Sequence, residues 1–319
     1  MKTISKPWLA LACALACVCV PARAQAAAQV AGPAPAIRPD RVILLDLERA
    51  GNELVAVGER GLVLRSIDDG ASWQAGFAPV TRTLSGVAFA DSLHGVAVGH
   101  GGTVLQTADG GVHWKQIKVE ATGTDALLGI LHTGGASYIA YGAFGLYIES
   151  SDGGATWTRK QPLGADFDRH ISQIIVDDEG LLLVGESGTL ARSLDQGKSW
   201  EKLDAHYAGS FFGALALDRG TLLVYGMRGN VYRSTDNGAN WNKVELGTSL
   251  ALMNGRRLAD GRVVLVGNAG LVAVSSDNGA SFTLHKSARG KDIAQMDVKA
   301  GAALLLVGEG GVDQVRLDK

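Results

Sequence analysis

The chain reads as an all-β protein, a seven-bladed β-propeller with Asp-box turns, on two markers that share one period. The first marker is an apolar run ending in Gly-x-x-Gly, at residues 57–61, 98–102, 141–145, 184–188, 225–229, 266–270 and 307–311. Its leading glycines, Gly58, Gly99, Gly142, Gly185, Gly226, Gly267 and Gly308, lie 41 to 43 residues apart. The second marker is Ser/Thr-x-Asp-x-Gly-x-x-aromatic, at residues 66–73, 107–114, 150–157, 193–200, 234–241 and 275–282. A repeat of this length suits one four-stranded blade.

The elements follow in order along the chain. Lys2 and Lys6 precede an almost wholly apolar run over 8–20, and Ala22, Ala24 and Ala26 supply small-x-small cleavage signals. Residues 1–24 are therefore expected to be a secretory signal peptide, cut after Ala24 or Ala26. The run is short for a membrane span. Residues 25–40, with Gly32-Pro33-Ala34-Pro35 and Pro39, form a flexible N-terminal segment and a candidate closing strand. Residues 41–319 make a single propeller domain.

Within a unit the strands are short and bounded by glycine and aspartate. In the second unit they are expected over 86–90, 95–98, 103–107 and 114–117. Glycine suits the tight turn between the second and third strands. The box aspartates, Asp68, Asp109, Asp152, Asp195, Asp236 and Asp277, are expected to fasten the turn between the third and fourth strands. The aromatics that close each box, Trp73, Trp114, Trp157, Trp200, Trp241 and Phe282, are expected to pack between blades. The seventh unit has material for three strands and no box.

Composition narrows the function. All three cysteines, Cys13, Cys17 and Cys19, fall inside the signal, so sheet packing alone must hold the exported chain. Losing Lys2, Lys6 and Arg23 takes the formal charge from -2 to about -5, which implies neither nucleic acid nor an anionic membrane surface as partner. The box aspartates would sit one per blade around a ring, too dispersed for paired-carboxylate glycoside hydrolysis. Asp109-Gly-Gly and Asp152-Gly-Gly supply too few oxygens for calcium. The seven histidines contain no H-x-x-x-H pair, and neither a G-x-S-x-G elbow nor a Walker lysine appears. No metal, cofactor or catalytic residue is expected.

Function is sought where the repeats stop agreeing. The residues between the marker glycines vary, and so do the connections between blades; strand reversal brings both to one face. Candidate protein-binding residues there are Arg60, Arg82, His100, Phe144, Tyr207, Arg228 and Arg289. The arginines would meet acidic groups, and Phe144 and Tyr207 would supply apolar anchors.

The coupling of V-G-x-x-G to S-x-D-x-G-x-x-W resembles the Ycf48-like/HCF136-like photosystem II assembly factor family, over residues 42–317. Asp boxes alone also occur in sialidases and sortilin-like propellers. The resemblance implies an exported, non-enzymatic scaffold that assists assembly or stability of a membrane protein complex. Photosynthetic members bind newly made reaction-centre protein through an arginine-rich surface, whereas the arginines here are scattered. The expected partner is thus a membrane protein or membrane-associated complex, met in the periplasm of a Gram-negative bacterium by a soluble monomer. The alternatives are a carbohydrate-binding propeller and, behind it, a sialidase-like hydrolase.

Overall fold

The computed structural model describes residues 37–299 and 303–317. The expected signal peptide and residues 25–36 lie outside the described residues. Six four-stranded antiparallel meanders and one three-stranded meander make seven blades in chain order. In the second blade the strands are Leu84–Phe89, Gly95–Gly99, Thr103–Thr107 and Lys115–Ile117. These lie within two residues of the sequence reading at every boundary.

The first strands touch one another around a ring. Leu44–Ala50 packs on Leu84–Phe89, the series continues to Ile293–Val298, and that strand returns to Leu44–Ala50. First strands therefore line the axis and fourth strands form the rim. Second strands such as Gly95–Gly99 and Leu181–Gly185 are buried at every position, because a neighbouring blade covers each face. That is why they read as continuous apolar runs rather than alternating ones. The outermost strands are short and exposed, down to two residues at Thr158–Arg159 and Glu201–Lys202, which limits edge pairing with other chains.

The core is divided into seams between adjacent blades. Val55, Val57 and Val63 of the first blade meet Leu84, Val87, Ala97 and Leu105 of the second, with Trp114 packed against them. Trp157, Trp200 and Trp241 occupy the equivalent places in later seams, and Phe282 joins the seam of the fifth and sixth blades. Trp73 sits with Leu305 and Val307, so the last seam is built like the others.

Among the described residues the seventh blade has three strands, Ile293–Val298, Ala303–Gly308 and Gly311–Arg316. Polar contacts reinforce its closure. The buried carboxylate of Asp297 accepts a bond from Arg256 Nη1 at 2.7 Å and pairs with Arg49 Nε at 2.5 Å. Gln295 Nε2 donates to Asp46 Oδ1 at 3.0 Å across the same seam. The described end of the N-terminal segment forms a 3-10 turn, Pro39–Arg41, beside Gly311–Arg316.

Two faces result. Turns between third and fourth strands carry the boxes and share one end with the turns between first and second strands, as shown by Gly110 N–H donating to Leu93 O at 2.9 Å. The Gly-x-x-Gly turns share the other end with the interblade connections: Glu59 N–H donates to Ile43 O at 3.1 Å. The first will be called the box face and the second the loop face.

Candidate functional site

Each box closes on itself. In the first, Gly70 N–H donates to Ser66 Oγ at 2.8 Å, and Ser66 Oγ donates to Asp68 Oδ1 at 2.8 Å. Asp68 also accepts from Ser72, through its backbone N–H at 2.8 Å and its hydroxyl at 2.5 Å. The same pattern recurs at Asp109, Asp152, Asp195, Asp236 and Asp277. Bonds donated by Ser72, Thr156, Ser199 and Asn240 hold Asp68, Asp152, Asp195 and Asp236 at about 2, as expected of carboxylates that accept several hydrogen bonds. Their oxygens are committed to the turn.

The loop face is different. At the first marker glycine of blade one, a Cβ on Gly58 would lie 2.0 Å from Ile43 O, so only glycine fits. Two residues on, Arg60 holds φ 57°, in the left-handed region that glycine occupies at least cost. Phe144 (φ 52°), Ser187 (φ 54°), Arg228 (φ 56°) and Ala269 (φ 52°) repeat this, whereas the second blade places Gly101 there at φ 66°. Five blades thus carry a side chain in a conformation that disfavours one.

Three groupings of the sequence candidates emerge. Arg60 and Arg82 line one cleft of about 640 Å³ between the first two blades, with Phe77, Val80 and Gln116. The Arg82 guanidinium lies over Gly101, and the neighbouring His100 is exposed. In the third blade, Phe144 is 57% exposed and stands edge-on to His170 at 5.1 Å, beside Arg169. In the fifth, Arg228 is exposed and close enough to Tyr207 to favour its ionised form, although burial, the larger cause, raises the phenol overall.

Two candidates are engaged elsewhere. Tyr207 is half-buried against Phe211 and Tyr232, each at 5.2 Å, and its hydroxyl accepts from Asn230 Nδ2 at 3.2 Å. Arg289 donates to Gly310 O at 2.8 Å and pairs with Asp313 and Asp40, so it ties the seventh blade to the N-terminal turn.

The axis holds a feature the sequence reading missed. A channel of about 480 Å³ is lined by Asp46, Glu48, Ser85, Gln173, Asn254 and Gln295 among others. Both carboxylates are half-buried in the wall of this channel. Burial raises Asp46, and burial followed by repulsion from Asp46 pushes Glu48 to about 7. Asp46 accepts from Val87 N–H at 2.8 Å, Leu47 N–H at 2.9 Å and Gln295 Nε2 at 3.0 Å, which fixes its carboxylate in the wall of the channel. The available signal was that only the first unit places Asp-x-Glu on its inner strand. Among the described residues no three histidines, aspartates, glutamates or cysteines are placed to hold a metal.

The family model described as photosynthesis system II assembly factor YCF48 matches residues 136–318. The chain belongs to this family. No curated protein matches it. Among solved structures, YCF48 bound to a D1 peptide is similar at 18% identity and TM-score 0.71, with 88% of this chain and 95% of that one covered. YCF48 from Cyanidioschyzon merolae follows at 15% and 0.69, covering 88% and 97%. The WD40 propeller domain of Doa1 gives 11% and 0.67, covering 86% and 92%. At such identities the structural likenesses speak for the propeller, while the family match concerns this sequence directly.

Proposed function

We propose that this assembly-factor relative is a non-enzymatic accessory protein that binds a segment of a membrane protein on its loop face. The carrying observation is that Arg60, Phe144 and Arg228 sit at left-handed positions where glycine would be easier to accommodate. Strain kept at exposed positions is an argument for use rather than for stability. Their chemistry suits an extended segment with acidic and apolar residues: guanidinium groups for carboxylates, and an exposed ring for an anchor. A solved YCF48 binds a D1 peptide, a precedent for a propeller of this family holding a stretch of another protein. The carboxylates of the boxes are held as acceptors by their own turns, which supports a structural rather than a catalytic role for them. Export to the periplasm rests on the sequence signals at residues 1–26, and among the described residues no helix is long and apolar enough to cross a membrane.

The test is an in-cell crosslinking pull-down with the protein and its Arg60→Gly/Phe144→Gly/Arg228→Gly variant, whose fold is checked by circular dichroism. Recovery of one membrane protein by the parent and at least tenfold less by the variant is the expected result. Equal recovery by both would reject the loop face. Recovery of none by the parent would reject the scaffold reading and favour a glycan ligand.

A further inference from the structure

Five of the seven seams between blades are stitched near the box face from one equivalent position on the third strand. Arg65 Nε donates to Gly110 O at 3.0 Å, in the box of the next blade. Gln106 does the same to Gly153 O at 2.7 Å, and Arg233 to Asn278 O at 2.9 Å. Arg192 reaches Asn237 O, and Gln314 reaches Gly70 O at 3.4 Å. Five of the six boxes thus receive a side-chain donor from the preceding blade.

The box of the fourth blade is the exception. The equivalent residue of the third blade is Glu149, a group that at neutral pH only accepts. Among the described residues no side chain donates to the carbonyl of Gln196, its counterpart in that box. A methyl built on the adjacent Gly197 would lie 3.5 Å from Glu149 Oε1 and 2.9 Å from the Tyr147 hydroxyl. Tyr147 is wholly buried, and its hydroxyl makes no hydrogen bond of normal geometry. Burial and the Glu149 charge both push that phenol upward, so it remains a neutral donor. The Glu149 carboxylate and the Tyr147 hydroxyl therefore flank Gly197, next to a Gln196 carbonyl that takes no side-chain donor among the described residues.

A groove of about 690 Å³ opens at this seam, lined by Ser137, Ile139, Glu149, Asp178, Leu194 and Gln196 among others. Asp177 and Glu179 also border it, but Arg192 pairs with both from within the fourth blade. Glu149 and Asp178 remain against the single cation Lys160. At the rim Leu194 and Val176 are 65% and 53% exposed, which frames the acidic floor with apolar surface.

We infer that this groove is a second binding site, on the box face, for an arginine-bearing segment of a partner protein. The guanidinium would stand where Arg65, Arg192 and Arg233 stand in their own seams, donating at once to Glu149 and to the Gln196 carbonyl. A planar fork with several donors meets two acceptors in a way a lysine ammonium does less well. Leu194 and Val176 receive the apolar neighbours of that arginine. The site lies at the opposite end from the loop face, so one propeller would hold two segments at once.

The test uses the capped pentapeptide Gly-Leu-Arg-Leu-Gly and its citrulline counterpart, followed by amide chemical shifts of the labelled protein. Shifts confined to Ser137, Glu149, Asp178, Leu194 and Gln196, with the arginine peptide only, are the expected result. Glu149→Gln removes the charge and places there the donor that Gln106 uses in its own seam, and should weaken binding at least tenfold. Glu149→Arg supplies the missing stitch from inside, and should abolish binding while raising the melting temperature. Equal binding of both peptides, undiminished binding by Glu149→Gln, or shifts confined to the loop face would overturn the proposal. The loop-face variant Arg60→Gly/Phe144→Gly/Arg228→Gly should bind the pentapeptide unchanged, which separates this site from the one proposed above.

Discussion

The two faces of the propeller solve the same problem, a tight reversal between strands, in opposite ways. On the box face the reversal is made six times on one pattern of side chains, and both oxygens of each aspartate accept within the turn that contains it. On the loop face the backbone makes the reversal through glycine, which frees the intervening residues to differ. Sequence repetition therefore marks the end of the molecule that is occupied with folding. Variation marks the end on which the main recognition surface is proposed, the Glu149 groove being the proposed exception on the box face.

The comparison is tested hardest where the box is missing. Asp297 reinforces the seventh seam with arginines from blades on either side, and Asp297→Ala should destabilise the protein by about 2–3 kcal/mol. Urea unfolding measures this, and a loss no larger than that of one box would show that closure does not depend on the ion pairs. Next in size is Ser234→Ala. Its buried hydroxyl serves both Gly238 N–H and Asp236, so about 1–2 kcal/mol should be lost. A neutral result would mean that the repeated boxes are not what holds that face.

A third expectation sets the box face against the channel through pH. The box aspartates have folded values near 2, below the ordinary 3.8, so their stabilisation is complete above about 4 and fades as pH falls through 2. Glu48 is raised to about 7 from 4.5, so its charge opposes folding above 7 and the penalty vanishes below 4.5. Glu48→Gln should therefore stabilise the protein at pH 8, by about 1 kcal/mol after allowance for its partial exposure, and change nothing at pH 4. Melting temperatures at the two pH values decide it; a gain that persists at pH 4 would point to packing instead. The smallest effect belongs to the loop face. Arg228→Gly should raise stability by somewhat under about 1 kcal/mol, because it relieves a left-handed arginine.

The seven-blade count was legible because glycine spacing counts units directly, and the family was legible because two markers recur in register. Individual site residues were less so. Arg289 looks like one more surface arginine, but its contact with Asp40 spans 249 residues of chain and exists only because the ring closes. Tyr207 looks like an anchor, yet Tyr232, from the third strand of the same blade as Arg228, covers one side of it. Asp46 and Glu48 became a pair of half-buried channel carboxylates only when six other inner strands surrounded them. Glu149 stood out once its equivalents were seen to point at their neighbours' boxes.

The most direct measurement of the division between faces is site-specific photocrosslinking in cells. One photoreactive residue would replace Phe144 on the loop face, and another would replace Val112, an exposed residue of the second box remote from the Glu149 groove. A membrane-protein adduct at position 144 and none at 112 is the result expected of a recognition face opposite a structural one. Adducts of equal yield at both positions, or at 112 alone, would contradict it.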